Sequence, residues 1–244
     1  MKSFLKYAKN RYSQNGEDGI LAEIFKRLGI KTGWFVEFGA WDGKHLSNTY
    51  ALLEKGWRGV DIEGDKERYK DLRQAAKKFH GRLTTINAFV STKGKNSLDN
   101  LLKATKLPRD IDLLSIDIDS YDYLIWQALK NYNPKIVVIE INSSIPLGKE
   151  HIQPDGIGYE ELEKQGKTAG SSFTSMLKLG HRKGYDLVAH TGNMIFIRKD
   201  LMTKINLPQD ELDNPNGLFL TDWLVDRSLK SRISSRLKKL SSRS

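Results

Sequence analysis

Apolar positions along the chain fall into two alternating spacings. In "GEDGILAEIFKRL", residues 16–28, the apolar side chains Ile20, Leu21, Ile24, Phe25 and Leu28 recur at helical intervals, and Gly29 follows as a terminator. The run "WFVEF", residues 34–38, is short and continuously apolar apart from one acid, the signature of a buried strand. The alternation then repeats. A short helix is predicted over 47–55 with Ser47 or Asn48 as its cap and Gly56 as its stop. A strand follows over 59–63, a charged amphipathic helix over 65–79 and a strand over 83–90. A helix over 97–106 is closed by Pro108, and a fourth strand is expected over 111–117, with a helix over 121–131. A fifth strand spans 135–141. Strands separated by helices imply a mostly parallel sheet covered on both faces. After Asn142 the pattern lapses, and 143–170 reads as a long loop of the kind that carries function. A helix over 171–183 and two strands, "YDLVAH" and "NMIFIR", complete the pattern, the pair turning antiparallel around Thr191-Gly192.

Composition narrows the chemistry. The 244 residues include no cysteine, so disulfides and thiolate–metal sites are excluded. No segment is long and apolar enough to span a bilayer. The first residues lack the apolar region of a signal peptide, which sets a cytoplasmic expectation. The net charge of +10 is unevenly placed. Arg227, Lys230, Arg232, Arg236, Lys238, Lys239 and Arg243 supply most of the excess in a tail with no acid. The body is only mildly basic, so no nucleic-acid partner is expected. Residues 1–226 are therefore read as one domain with a helical extension over 1–30. Residues 227–244 are read as a basic tail whose Leu229, Ile233, Leu237 and Leu240 form one apolar stripe. Such a helix suits peripheral contact with anionic lipid, and packing on the protein's own body or a disordered serine-rich end are the alternatives.

In an open α/β sheet, ligands sit beyond the carboxyl ends of the strands. The first strand runs into "EFGAWDGKHLSN", where Gly39 and Gly43 admit close backbone approach and the following helix N-terminus favours negative charge. The string is not G-x-G-x-x-G, which disfavours a pyrophosphate dinucleotide. A ligand with one carboxylate, one ammonium and a nucleoside fits better, as in S-adenosylmethionine, with Glu37 or Asp42 answering its cationic end. Glu63 closes the second strand, where an acid accepts both ribose hydroxyls. Asp61 lies further back on the same face and reads as structural.

The strings "YSQNGED" at Tyr12, "FVEFGAWDGKHLSNT" at Phe35, "EKGWRGVDIE" at Glu54 and "LLSIDID" at Leu113 together resemble the FkbM-type methyltransferases, from about Tyr12 to Leu201. The resemblance implies a Rossmann-like class I methyltransferase fold and S-adenosylmethionine-dependent O-methylation of a sugar. It implies a cofactor site drawn from Glu37, Gly39, Ala40, Asp42, Asn48, Glu63 and Asp117, with Gln14 and Asp18 closing over it. Two positions depart from the family. Gly64 stands where proline is common, and Asp119-Ser120 where many members have Glu-Gly.

The fourth strand ends in Asp117, Asp119 and Asp122. Strand alternation puts Asp117 and Asp119 on one side, and Glu140 and Asn142 likewise at the end of the fifth strand. Carboxylates crowded in this way repel, and a hard divalent cation with oxygen ligands relieves them. Mg²⁺ or Mn²⁺ held by Asp117, Glu140 and Asn142 is therefore expected, similar to the catechol-type methyltransferases, with Asp119 positioning it or taking the substrate proton. Asp122 is read as a first-turn helix acid. The metal-free alternative leaves the proton to Asp119 or to a histidine. His181 at a helix end is the first candidate and His151 in the long loop the second, while His45 is placed to touch the cofactor. A D-x-D string also fits a metal-dependent glycosyltransferase. The expected partner is a sugar or glycan acceptor.

Overall fold

The computed structural model describes residues 4–118 and 120–207. Asp119 and the tail over 227–244 lie outside the described residues, and so does what was expected of them. The sheet has seven strands: β1 (Trp34–Phe38), β2 (Arg58–Glu63), β3 (Leu83–Asn87), β4 (Leu113–Ile116), β5 (Ile136–Glu140), β6 (Tyr185–His190) and β7 (Asn193–Arg198). Their order is β3-β2-β1-β4-β5-β7-β6. β1 to β5 pair in parallel, while β7 runs antiparallel to both β5 and β6. This is the predicted Rossmann-like methyltransferase architecture, mostly parallel with an antiparallel final pair. The chain winds outward from β1 to β3, then returns to place β4 on the other side of β1. That reversal opens a crevice above the carboxyl ends of β1 and β4.

Helices pack on both faces: α1 (Glu17–Leu28), α2 (Tyr50–Glu54), α3 (Lys66–Ala76), α4 (Leu98–Lys103), α5 (Asp122–Ala128), α6 (Tyr159–Lys164), α7 (Phe173–Arg182) and α8 (Met202–Ile205). The side-chain period of two divides the core into two layers. Val36, Phe38, Leu114, Ile116, Val137 and Ile139 pack with Trp126 of α5 and Met176 of α7. Phe35, Leu113, Ile136 and Val138 pack on the opposite face with Ile20 and Ile24 of α1 and Leu53 of α2. Among the described residues no helix is long and apolar enough to cross a membrane.

Most boundaries fall within a few residues of those expected. β3 ends at Asn87 and not at Val90, because Asn87 Nδ2 donates to the Glu63 carbonyl at 2.8 Å and the chain then leaves the sheet. The loop over 143–170 contains α6, whose sequence "YEELEK" buries only Leu162 and so shows no apolar period. Glu17, buried at the start of α1, ties this end of the chain to the β6–β7 hairpin. It accepts from Thr191 Oγ1 at 2.6 Å and from the Asn15 N–H at 2.8 Å.

Candidate active site

A cavity of about 760 Å³ occupies the crevice. Gln14, Glu37, Gly39, Ala40, Asn48, Glu63 and Asp117 all line it, together with Glu140 at the end of β5. The strands fix these positions. Glu37, Glu63 and Glu140 are the last or next-to-last residues of parallel strands, and Asp117 directly follows one.

Glu37 organises the loop after β1. It is buried, and its carboxylate accepts from Ser47 Oγ at 2.6 Å, Thr49 Oγ1 at 2.7 Å and the Asn48 N–H at 2.9 Å. Burial pushes its pKa up while these hydrogen bonds pull against the shift. The triplet Ser47-Asn48-Thr49 is thus wrapped around one acid. Ser47 Oγ also accepts the Tyr50 N–H at 3.0 Å, at the start of α2. Asn48 Nδ2 donates to Ser115 Oγ at 3.0 Å. The Asn48 amide oxygen is buried without a partner, an acceptor left for a ligand donor at the cavity wall.

Gly39 is needed by the chain itself. Its φ is +76°, and a Cβ there would overlap the carbonyl oxygen of Asp117. The loop crosses the end of β4 at a distance only glycine allows. Glu63 reaches into the same loop, accepting the Trp41 N–H at 2.8 Å and the Asp65 N–H at 2.7 Å, one on each oxygen. Each oxygen keeps a lone pair for a ligand hydroxyl. Gly64 has a steric reason as well. A Cβ at that position would strike the Phe89 ring, which lies against the backbone and is 73% exposed at the cavity wall. Trp41, also lining the cavity, carries the Arg68 guanidinium 3.9 Å from its ring centroid.

Other candidates are placed outside the cavity. Asp42 accepts the Lys44 and His45 N–H groups at 2.8 and 2.6 Å, closing a turn. Asp18 gathers the N–H groups of Arg11, Tyr12 and Ser13 at 2.7–2.8 Å on one oxygen and thereby fixes the segment that delivers Gln14. Both act on backbone. Asp61 pairs in register with Glu37, is fully buried, and neither of its oxygens has a hydrogen-bond partner. Burial, then the neighbouring charge of Glu37, pushes its pKa well up.

The expected metal set is not assembled by the described residues. Asp117 and Glu140 share the cavity, but the Asn142 amide oxygen already accepts from Ser144 N and Oγ at 2.9 and 2.6 Å. Its amide N–H donates to the Ala169 carbonyl at 2.8 Å. No group of three His, Cys, Asp or Glu able to hold a metal occurs among the described residues. Asp122, in the first turn of α5, accepts the Ile118 and Ser120 N–H groups at 2.9 and 3.0 Å, so it shapes the chain on either side of Asp119.

His181 is also displaced from its expected role. It ends α7, beside Asp186 at 4.0 Å, and does not line the cavity. β6 runs in the same direction as β5, so the helix that leads into it must finish at the far end of the sheet. His151 Nε2 pairs with the Thr168 carbonyl at 3.0 Å and bridges the long loop. His45 does line the cavity. Sequence reasoning missed Phe89, Arg68, Tyr159 and Ile118 as lining residues. The apolar triplet "AFV", which follows the polar Asn87 that ends β3, was the available signal for Phe89.

No family model and no curated protein matches the chain. Solved structures do. One is a candidate sarcosine dimethylglycine methyltransferase from Galdieria sulphuraria, with 13% identity and a TM-score of 0.44, covering 69% of this chain and 60% of that one. TrmK from M. capricolum, in complex with S-adenosyl-homocysteine, shares 11% identity over 72% of this chain and 66% of that one, with a TM-score of 0.41. A precorrin-6y C5,15-methyltransferase from Geobacter metallireducens shares 13% identity over 78% of this chain and 90% of that one, with a TM-score of 0.41. The chain thus spans under two thirds of the length of the first two. Likeness this distant assigns no activity.

Proposed function

We propose that the protein is an S-adenosylmethionine-dependent O-methyltransferase acting on a sugar hydroxyl of a glycan or nucleotide-sugar. The supporting observation is the charge of the cavity. Among its described lining residues are four carboxylates, Glu37, Glu63, Asp117 and Glu140, against the single guanidinium of Arg68. Carboxylates gathered at the ends of the strands suit a ligand with a cationic group. A glycosyltransferase would have to seat its donor's diphosphate among these carboxylates, which weakens that alternative.

The residues present fit S-adenosylmethionine. Glu63 keeps lone pairs for the ribose hydroxyls, and Asn48 offers its unpartnered amide oxygen to the ammonium. Phe89, Ile118, Val90 and Ile62 supply an apolar wall for the adenine. When bound, the cofactor supplies an electrophilic methyl on a sulfonium. The chain's part is to hold a hydroxyl in line with that methyl, which accounts for much of the acceleration in such reactions. The proton of the hydroxyl passes to a carboxylate at the ends of β4 and β5, where Asp117 and Glu140 are the described candidates. A cation cage does not fit the donors described, because Asn142 is held by its own loop.

Calorimetric titration tests the proposal. S-adenosylhomocysteine should bind the full chain one to one, and a nucleotide-sugar alone should neither bind comparably nor raise the melting temperature. Absence of S-adenosylhomocysteine binding to folded protein overturns it, as does a nucleotide-sugar that competes with S-adenosylhomocysteine for the same cavity.

A further inference from the structure

Among the described residues six large apolar side chains are exposed, and all six lie beyond the carboxyl ends of parallel strands. Trp41 and Leu46 follow β1, Phe89 follows β3, and Leu147, Ile152 and Tyr159 stand between β5 and α7. Four of them, Trp41, Leu46, Phe89 and Tyr159, line the large cavity. Single apolar residues scattered over a surface are ordinary, but a gathering of them at one place marks a contact site. Backbone conformation sets two of these residues apart. Four non-glycine residues among those described have positive φ: Trp41 at +50°, Leu46 at +55°, His80 and Asn206. His80 follows the 3-10 turn Lys77–Phe79 and Asn206 follows α8, where the left-handed conformation closes a helical turn. Trp41 and Leu46 follow no helix. Their loop is held by Glu63, which accepts the Trp41 N–H, by the Gly43 N–H donating to the Ala40 carbonyl at 2.7 Å, and by the turn that Asp42 closes. A side chain in this region strains the backbone, and such positions cluster where ligands are held. Burial does little to offset the strain here, since Trp41 remains 43% and Leu46 45% exposed at the cavity wall.

We infer that these side chains form an apolar rim that takes the aglycone of the acceptor, so that the methylated sugar is one joined to a hydrocarbon or aromatic group. The inference rests on the methyl-transfer reading above and narrows its acceptor. The chemistry of the cavity is divided. Carboxylates line it at the strand ends, so the part of the acceptor that enters is polar, while the exposed rim offers carbon. Two of the rim residues have other tasks. Phe89 belongs to the adenine wall, and Trp41 carries the Arg68 guanidinium on its ring. Leu46 and Tyr159 are left to meet the acceptor, and they arrive from different segments, one after β1 and the other at the start of α6. Tyr159 is 50% exposed, so both residues present accessible carbon to whatever reaches the mouth. Hydrocarbon laid against them releases water from both surfaces. A nucleoside diphosphate in the same place would give up phosphate hydration against carbon.

The test uses the full chain saturated with S-adenosylhomocysteine and matched methyl and octyl pyranosides of glucose, mannose, galactose and rhamnose, each kept below its micelle concentration. Affinity is read by saturation-transfer NMR titration. For at least one sugar the octyl glycoside should bind about tenfold or more tightly than its methyl partner. Leu46→Ala and Tyr159→Ala should each reduce that preference about threefold, with S-adenosylhomocysteine affinity kept within about twofold of the parent. Leu46→Gly should lose the preference as well, yet keep its melting temperature within about 4 °C of the parent, because glycine accepts the positive φ. A larger fall makes Leu46 a folding contact and overturns its assignment to the rim. If S-adenosylhomocysteine binds but no sugar shows the octyl preference, the rim assignment is overturned and the methyl-transfer reading stands. A preference that survives in both alanine variants overturns it too. Co-sedimentation with phosphatidylcholine vesicles free of glycoside, lost in both alanine variants, gives the rim to a bilayer and overturns the aglycone reading. Failure of S-adenosylhomocysteine itself to bind strikes the underlying reading instead.

Discussion

Replacing Glu63 by alanine separates ligand binding from loop anchoring. Two groups depend on its carboxylate in the ligand-free protein, the Trp41 N–H at 2.8 Å and the Asp65 N–H at 2.7 Å. Losing a buried acceptor leaves each amide unsatisfied, at about 1–3 kcal/mol for a fully buried donor. Trp41 is 43% exposed, so water reaches its side of the loop and the stability loss should lie near the low end, about 1–2 kcal/mol in total. The ribose hydroxyls lose a charged acceptor, a difference of about 1.5–3 kcal/mol, or roughly 10- to 160-fold in affinity. Urea denaturation reads the first quantity and titration with S-adenosylhomocysteine reads the second. Asp61→Asn is the control, since Asp61 lies on the same strand but does not line the cavity, and its affinity should match the parent. Unchanged affinity in folded Glu63→Ala, or an equal loss in Asp61→Asn, would refute the assignment of the β2 acid to the ribose.

Other outcomes follow from the same geometry. Gly39→Ala should lose about 2–4 kcal/mol in urea denaturation, because positive φ and a collision with the Asp117 carbonyl add together. Gly64→Ala meets only the movable Phe89 ring, so stability should hold within about 1 kcal/mol while S-adenosylhomocysteine binding weakens. Asp61 holds its proton in the folded protein above the pH at which the unfolded chain releases it. Its contribution is therefore complete below about pH 4 and declines as pH rises toward the raised folded value, by at most about 1.4 kcal/mol per pH unit. Asp61→Asn should abolish that slope, and stability curves taken from pH 4 to 7 for both proteins check it. His181→Ala should leave S-adenosylhomocysteine affinity and methyl transfer within about twofold of the parent, since the residue lies at the far end of the sheet from the cavity.

The strands were legible because each is a short apolar run bounded by turn residues, and the mostly parallel pairing followed from their alternation with helices. The acids at the ends of β1, β2, β4 and β5 were legible for the same reason, since strand ends point into the crevice. What failed was extrapolation past a strand's last residue. Asn142 was placed beside Glu140 by alternation, but β5 ends at Glu140 and loop geometry turns the amide toward Ser144 and Ala169. Phe89 was read as a strand residue, yet the sheet ends two residues earlier. His181 required the direction of β6, which depends on the order of the final pair and not on the helix that carries the histidine.

The carboxylates lining the cavity bear on how the proposed reaction would finish a cycle. In the proposed reaction, methyl transfer would remove the sulfonium charge from the donor, so the product would lose the attraction of the carboxylates at the strand ends. On the proposed reading, the same carboxylates would discriminate between fresh and used cofactor, and inhibition by accumulated product should be weaker than an uncharged cavity would give. Salt screens exposed charges more than buried ones, so this preference should persist at ionic strengths that weaken contacts on the protein's surface.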